Sequence, residues 1–156
     1  MVTAEQAVAA VVDPEMPVLT LADLGVVRDV STVDGVVTVT VTPTYAGCPA
    51  MAVIRADIVR ALAAAGYPDS VVRTELAPAW STDWITPAGR AKLASAGIAP
   101  PPPAGPVLLG LPRPAVPCVR CGSLDTEELS RFGSTACKAL WRCRACGEPF
   151  DQVKPL

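Results

Sequence analysis

The chain has 156 residues, half of them apolar, which is enough for one domain, or for one domain and a small module that needs added stabilisation. Its net charge of −2 gives no electrostatic basis for binding nucleic acid or an anionic membrane, and no apolar run reaches the roughly 18 residues of a membrane span. The absence of histidine excludes a histidine base, a Ser-His or Cys-His nucleophile pair, and a His-ligated zinc or di-iron centre.

Six cysteines are the remaining candidates for metal or redox chemistry. The first residues lack the basic region that opens a secretory signal peptide, so we expect a cytoplasmic protein. In that compartment cysteines serve as metal ligands or redox groups more often than as disulfides.

Residues 3–12 are predicted to form a short amphipathic helix. Thr3 and Gln6 have the spacing of a capping box, in which each side chain accepts a hydrogen bond from the other residue's backbone N–H. Asp13-Pro14 then ends the helix. The apolar residues of the segment share one helical face: Ala4, Ala7, Val8, Val11 and Val12.

Two turns after this helix carry carboxylates. Asp13 and Glu15 lie in a proline-rich segment, 13–18, that is too rigid for regular structure. Asp23 lies in the next turn, directly before Leu24-Gly25.

A β-hairpin is predicted next, with strands over 26–33 and 36–41 joined at Asp34-Gly35, which is typical of a type I′ turn. In its second strand valines alternate with threonines, which predicts one buried face and one solvent-facing face.

The rest of the first domain is predicted as helix, strand and helix. A helix over 51–65 ends at Gly66, and a strand covers 70–77. Thr86 caps a last helix that closes at Gly97. The order α-β-β-α-β-α predicts an α+β fold of two layers, with helices packed on one side of a small sheet.

Cys48 lies between the second strand and the long helix, in the segment 44–50. Pro49 suits a first helical turn, which places Cys48 at a helix N-terminus, where the helix dipole favours a thiolate. Gly47 lets the backbone turn and leaves Cys48 accessible. These residues fit a soft-metal or sulfur site, and they equally fit a buried, inert cysteine.

Residues 99–117 contain eight prolines and mark a boundary between domains 1–98 and 118–156. Such a segment is mostly extended, at about 3.1 Å per residue, and spaces two modules up to roughly 60 Å apart. A passive spacer is the main interpretation, and a ligand for a proline-binding partner is the alternative.

The C-terminal module has two copies of Cys-x-x-Cys-Gly, which supply Cys118, Cys121, Cys143 and Cys146. Two intervening residues let both sulfurs of a pair reach one metal, so the spacing predicts a tetrahedral four-cysteine site for zinc or iron. A module of this size depends on the metal for its stability. Its nearly balanced charge argues against nucleic-acid binding.

Cys137 does not fit that site, because zinc has no use for a fifth ligand. Two interpretations stay open, core packing between Ala136 and Ala139 or an accessible second thiol beside Lys138.

Several of these stretches resemble known families. Segments 13–18, 23–25 and 45–50 resemble the signature of the SufT-like domain of iron–sulfur cluster assembly, and segment 77–85 resembles its last strand and helix entry. The tail, 118–151, is similar to the zinc ribbon of the PaaD (PaaJ) family, subunits encoded with the phenylacetyl-CoA ring epoxidase of bacterial phenylacetate degradation.

The resemblance implies an accessory subunit without catalytic activity of its own, which assists the assembly or insertion of an iron or iron–sulfur centre. It implies zinc in the ribbon and a transient iron or iron–sulfur cluster at Cys48, with Asp13, Glu15 and Asp23 nearby and Cys137 as a further thiolate. The implied partners are the oxygenase and reductase subunits and iron–sulfur assembly components, and the short exposed sheet also allows a homodimer.

The sequence departs from this family at one point, because no cysteine follows the segment 150–154. Two other functions stay open. One is a structural scaffold that holds the oxygenase and reductase together, and the other is an electron carrier with a rubredoxin-like iron in the four-cysteine site.

Overall fold

A computed structural model describes residues 1–105 and 114–155. The chain forms two compact units, Met1–Gly89 and Arg90–Leu156, and the division falls within a helix. The helices and short sheets confirm the predicted α+β class.

The first unit is built from three complete helices, three strands and a 3-10 turn. In chain order the regular elements are α1 (Ala4–Ala9), α2 (Leu21–Leu24), β1 (Val27–Val33), β2 (Val36–Val41), α3 (Met51–Ala64) and β3 (Ser70–Thr74), followed by the 3-10 turn Thr82–Trp84 and the start of α4 (Pro87–Ser95).

The sheet of this unit has the order β1–β2–β3. β1 and β2 pair antiparallel through the predicted hairpin, whose turn residues Asp34 and Gly35 both have positive φ. β3 pairs parallel with β2, and α3 is the crossover between them. The segment 42–50, which contains Cys48, therefore leaves the sheet at the end of its central strand.

α3 covers the sheet with one buried stripe, Ile54, Ile58 and Leu62. Gly66 ends it at φ 95°, and the N–H of Tyr67 donates to the carbonyl of Leu62 at 2.9 Å. This is the hydrogen bond of a Schellman cap, as the glycine after the helix predicted. The largest of the other fully buried side chains in this unit are Val8, Leu19, Leu21, Leu24, Val37, Val39, Val41 and Thr42.

The capping predictions are confirmed at both ends of the unit. Thr3 and Gln6 form the capping box of α1. The hydroxyl of Thr86 accepts from the N–H of Gly89 at 3.0 Å, and Pro87 is the first residue of α4.

Three local predictions were wrong. α1 ends at Ala9, and Val12 is 46 % exposed because it forms an isolated bridge with Thr20 instead of a helical turn. The threonine face of β2 is not solvent-facing, since Thr40 and Thr42 are buried. β3 ends at Thr74 because its partner, β2, ends at Val41.

The second unit contains a four-stranded sheet. Its strands are β4 (Ile98–Ala99), β5 (Thr126–Ser130), β6 (Lys138–Cys143) and β7 (Pro149–Val153), in the order β4–β7–β6–β5. A small core lies against this sheet: Ala99, Val116, Cys118, Ala139, Trp141, Cys143 and Phe150.

The predicted linker, 99–117, coincides only in part with irregular chain. Ala99 belongs to β4 and Val116 to the core of the second unit, because an apolar residue beside prolines can still pack. Residues 106–113 of the linker lie outside the described residues. The domain boundaries 1–98, 99–117 and 118–156 stay a prediction.

Candidate metal centre

The two Cys-x-x-Cys-Gly copies form matching turns. Gly122 and Gly147 have φ values of 74° and 80°, which only glycine adopts readily. The N–H of each glycine donates to the carbonyl of the first cysteine of its copy, Cys118 or Cys143, at 2.9 Å. These turns point the sulfurs of both copies toward one position.

Backbone N–H groups also reach the sulfurs. The N–H of Arg120 donates to Sγ of Cys118, and the N–H of Cys146 donates to Sγ of Cys143, both at 3.4 Å. Such donors stabilise thiolates, which are the form that binds metal.

The four sulfurs fit a tetrahedral metal. They all lie within 4.8 Å of one another, with 3.7 Å between Cys118 and Cys146 and 3.6 Å between Cys121 and Cys143. Four sulfurs at about 2.3 Å from one zinc would be separated by about 3.8 Å. Cys118 and Cys143 are buried, and Cys121 and Cys146 are exposed. With four ligands supplied by the protein, the centre has no open position for a substrate, which is typical of a structural site.

The metal-free thiols differ in proton affinity. Burial raises the pKa of Cys118, but hydrogen bonds from the backbone of Cys121 and Arg120 outweigh it and lower the pKa to about 7. A backbone hydrogen bond from Glu148 lowers the pKa of Cys146, but burial and the neighbouring sulfurs outweigh it and raise the pKa to about 12.

Ion pairs surround the centre. The guanidinium of Arg120 donates to the carboxylate of Glu148 at 2.8 Å, which joins the two turns. Glu127 accepts from Arg144 at 2.7 Å and also from Arg142. The Arg144 and Arg142 hydrogen bonds lower the pKa of Glu127. These arginines moderate the negative charge that four thiolates would concentrate here.

Cys137 lies at the opposite end of the sheet from the metal centre. It precedes the first residue of β6, whereas Cys143 is the last, and a strand of that length spans about 20 Å. Cys137 is 5 % exposed, and its sulfur is 3.0 Å from the hydroxyl of Thr135. Of the two interpretations left open, this burial favours core packing.

Cys48 occupies the loop between β2 and α3. Its N–H donates to the carbonyl of Tyr45 at 3.4 Å, and its carbonyl accepts from Met51 at 3.2 Å. The helix begins at Met51, so Pro49 lies in the turn before it. The prediction that Pro49 lies in the first helical turn was therefore wrong. Cys48 is partly exposed, and Gly47 at φ 82° has open space on its side-chain side.

The carboxylates predicted near Cys48 organise backbone. Asp13 is buried, and its Oδ1 accepts from the N–H groups of Glu15 and Met16 at 2.9 and 2.7 Å. Asp23 is buried in the capping box of α2, where its Oδ2 accepts from Thr20 N–H at 2.9 Å. These bonds form an Asx turn and a helix cap.

Among the described residues, the four ribbon cysteines are the one group of three or more cysteine or carboxylate ligands that lie within 4.8 Å of one another. Cys48 and the predicted carboxylates therefore do not form a preformed site of three or more ligands among the described residues.

Thr42 is a buried polar residue that the sequence analysis placed on a solvent-facing side of the strand. It is 1 % exposed directly after β2, at the start of the segment that contains Cys48, and its hydroxyl has no hydrogen-bond partner among the described residues. A buried, unsatisfied hydroxyl costs free energy, so it is a feature of functional sites as well as of strained cores. The alternation of valine and threonine could not reveal it, because that pattern predicted a solvent-facing threonine.

Two family models match the chain. Residues 2–73 match an iron-sulfur cluster assembly protein family, and residues 103–154 match the PaaD zinc beta ribbon domain. The fold is also similar to the crystal structure of a domain of unknown function, DUF59, from Bacillus anthracis. The TM-score is 0.54 and the identity 26 %, over 58 % of this chain and 87 % of that chain. The protein thus joins an iron–sulfur assembly-like domain to a zinc β-ribbon.

A curated relative matches this chain over most of its length. The chain is 47 % identical over 142 residues, 91 % of this chain and 85 % of the relative, to a protein of Escherichia coli (strain K12) assigned as a 1,2-phenylacetyl-CoA epoxidase subunit. The chain belongs to this PaaD family of epoxidase subunits. Among the described helices, none has the length and apolar character needed to cross a bilayer.

Proposed function

We propose that this protein is a non-catalytic accessory subunit of a bacterial phenylacetyl-CoA ring epoxidase, which assists the assembly or insertion of an iron or iron–sulfur centre. The match of residues 2–73 to an iron–sulfur assembly family and the epoxidase relative from Escherichia coli support this role. The lack of histidine agrees with it, because a di-iron oxygenase of the bundle type needs histidine ligands.

The observation that carries the proposal is the setting of Cys48. This cysteine is partly exposed beside an open glycine, so a metal centre held by another protein can approach its sulfur. A single accessible cysteine sulfur suits transient binding of a cargo, since release requires few bonds to break. Asp13, Glu15 and Asp23 are kept in the proposed site as the resemblance implies, and the carboxylates of Asp13 and Asp23 hold their own turns through backbone hydrogen bonds. Cys137 is buried in the other unit, and the proposal does not depend on it.

The four-cysteine centre is proposed to hold zinc. Zinc accepts four thiolates in a tetrahedron, and the fit of the sulfur separations supports it. The ribbon would then be a stable docking module that takes no part in metal transfer.

The proposed partners are the oxygenase and reductase subunits of the epoxidase and components of iron–sulfur assembly. The proposal includes neither nucleic acid nor a membrane as a partner. It is compatible with a homodimer of this chain. The proposed location is the cytoplasm, where thiolates stay reduced.

The decisive experiment measures iron and sulfide in the epoxidase subunits purified from cells that carry the wild-type chain, no chain, or Cys48→Ser. Delivery predicts that Cys48→Ser lowers the metal content to the level seen without the chain. Cys137→Ser, with its level and fold checked, is the control and should retain wild-type loading. Wild-type loading with Cys48→Ser would refute delivery.

Two observations favour other functions. Asp13 and Asp23 cap backbone, and no ligand cluster forms around Cys48 among the described residues, which favours a structural scaffold. The paired cysteine turns favour a rubredoxin-like electron carrier. Metal analysis with visible spectra on anaerobically purified protein separates the carrier, because iron in this site is coloured and redox-active, whereas zinc is neither.

A further inference from the structure

Among the described strands, β3 pairs only with β2, so it is an edge strand with one side open. The N–H of Val37 donates to the carbonyl of Asp69, and the N–H of Glu75 donates to the carbonyl of Val41, both at 2.9 Å. In a parallel ladder alternate residues direct their backbone groups to opposite sides. Ser70, Val72 and Thr74 therefore direct their N–H and C=O groups to the free edge.

This edge lacks the protection that the other edge of the sheet has. The pairing of β1 with β2 contains a register shift between Val27 and Asp29, and such bulges discourage further pairing. The pairing of β3 with β2 is regular from Ser70 to Thr74, and Val71 is 46 % exposed. A regular, open edge of this kind can accept another strand.

A groove of about 510 Å³ runs beside β3. Ala56, Val59 and Ala63 of α3 form its apolar floor with Val72 of β3. Val59 is 40 % exposed, so the floor is open to a partner. Side chains from one face of an added strand would fill this groove.

The charged groups of the groove lining are both arginines, Arg55 and Arg60. Arg60 pairs with Asp57, whereas Arg55 donates to the hydroxyl of Thr74 and has no carboxylate partner among the described residues. The groove is therefore net basic, and it favours an acidic occupant over a basic one.

The two arginines lie toward opposite ends of the groove. α3 returns the chain from the end of β2 to the start of β3, so it runs antiparallel to β3. Arg55 contacts Thr74 at the end of β3, and Arg60 lies about 7.5 Å further along α3, toward the start of β3.

We propose that the free edge of β3 binds an extended acidic segment of a partner protein as a fourth strand. The segment has the alternating pattern acidic–x–apolar–x–acidic. Its apolar side chain packs over Val59 and Val72, and one of its carboxylates meets Arg55, the lining arginine without a carboxylate partner among the described residues. This docking role does not depend on metal handling by Cys48, so each can fail without the other.

The test uses the full metal-loaded chain and a capped peptide, Thr-Glu-Thr-Val-Thr-Glu-Thr, with amide NMR shifts as the measurement. Shifts are expected at Ser70, Val72 and Thr74. Arg55→Glu should weaken binding by about tenfold or more. Arg131→Glu, which changes the net charge equally at an exposed position of the other unit, should leave affinity unchanged.

Two further peptides separate strand addition from simple charge attraction. Replacing both glutamates by lysine, or methylating alternate backbone nitrogens, should each weaken binding by about tenfold or more. No shifts in β3, or equal losses for Arg55→Glu and Arg131→Glu, would overturn the proposal. Shifts in β3 that grow with protein concentration without peptide would overturn it in favour of a second copy.

Discussion

Substituting Gly25 by alanine tests whether the Asp23-Leu24-Gly25 segment is built for packing. Gly25 has φ 69°, and a Cβ added to it would lie 2.5 Å from the carbonyl oxygen and 2.8 Å from the Cβ of Trp84. Both atoms are fixed by the backbone of the 3-10 turn, so no side-chain rotation relieves the contact. The segment around Trp84 would have to move.

The cost has two parts. Alanine in the left-handed region loses about 1–2 kcal/mol, partly offset by a gain of about 0.4–1 kcal/mol from a less flexible unfolded chain. Displacing packed neighbours costs about 1–3 kcal/mol more. Gly35 is the matched control, because it has φ 82° in the same unit but no atom within 4 Å of an added Cβ. Gly35→Ala therefore has only the backbone cost of alanine at positive φ, without the cost of displacing neighbours.

The assay is urea unfolding of both variants, followed through amide NMR signals of the first unit. We expect Gly25→Ala to lose about 1–3 kcal/mol more unfolding free energy than Gly35→Ala. Equal losses of unfolding free energy in the two variants would show that the segment around Trp84 moves at little cost. This result would refute the packing explanation.

Three further predictions concern the cysteines. Cys143→Ser should unfold residues 118–155 and leave the first unit's NMR signals intact, because metal binding supplies about 10 kcal/mol or more to a core this small; native-like ribbon signals without metal would contradict this. If Cys48 holds a cargo, its alkylation should be slow in anaerobically isolated protein and fast after chelation. Alkylation of the buried Cys137 should be slow in both samples. Unchanged labelling of Cys48 with no iron recovered would favour the scaffold. Zinc binding should release fewer protons per metal as pH rises through about 7, because Cys118 is then already a thiolate. Cys146, with its pKa of about 12, still loses its proton on binding zinc. Buffer-dependent calorimetry that gives a constant proton release from about pH 6 to 8 would contradict this prediction.

Local sequence rules predicted much of the fold because they describe bonds between near neighbours. The Thr3 capping box, the Asp34-Gly35 turn, the Gly66 cap and the Thr86-Pro87 helix start each depend on a few adjacent residues. The metal centre was predictable for the same reason, since each pair of sulfurs is fixed by a five-residue turn.

Features that depend on distant contacts were not predictable. The burial of Thr42 follows from its place at the end of a central strand, which periodicity does not reveal. The carboxylates of Asp13 and Asp23 could bind a metal or cap backbone N–H groups, and the residue types alone do not distinguish these two roles. For Asp23 a clue was present, because Thr20 and Asp23 have the spacing of a capping box and mark the short helix α2.

The two residues of β4 affect where this chain can be cut. Ile98 and Ala99 pair with Asp151 and Gln152, and Ala99 closes one side of the ribbon core. A fragment that begins at residue 103, where the match to the ribbon family starts, would lack this strand. It would carry all four cysteines of the metal centre but would lack the strand that pairs with the outer edge of β7. For work on the isolated ribbon, a fragment that begins at Arg90 keeps the sheet whole.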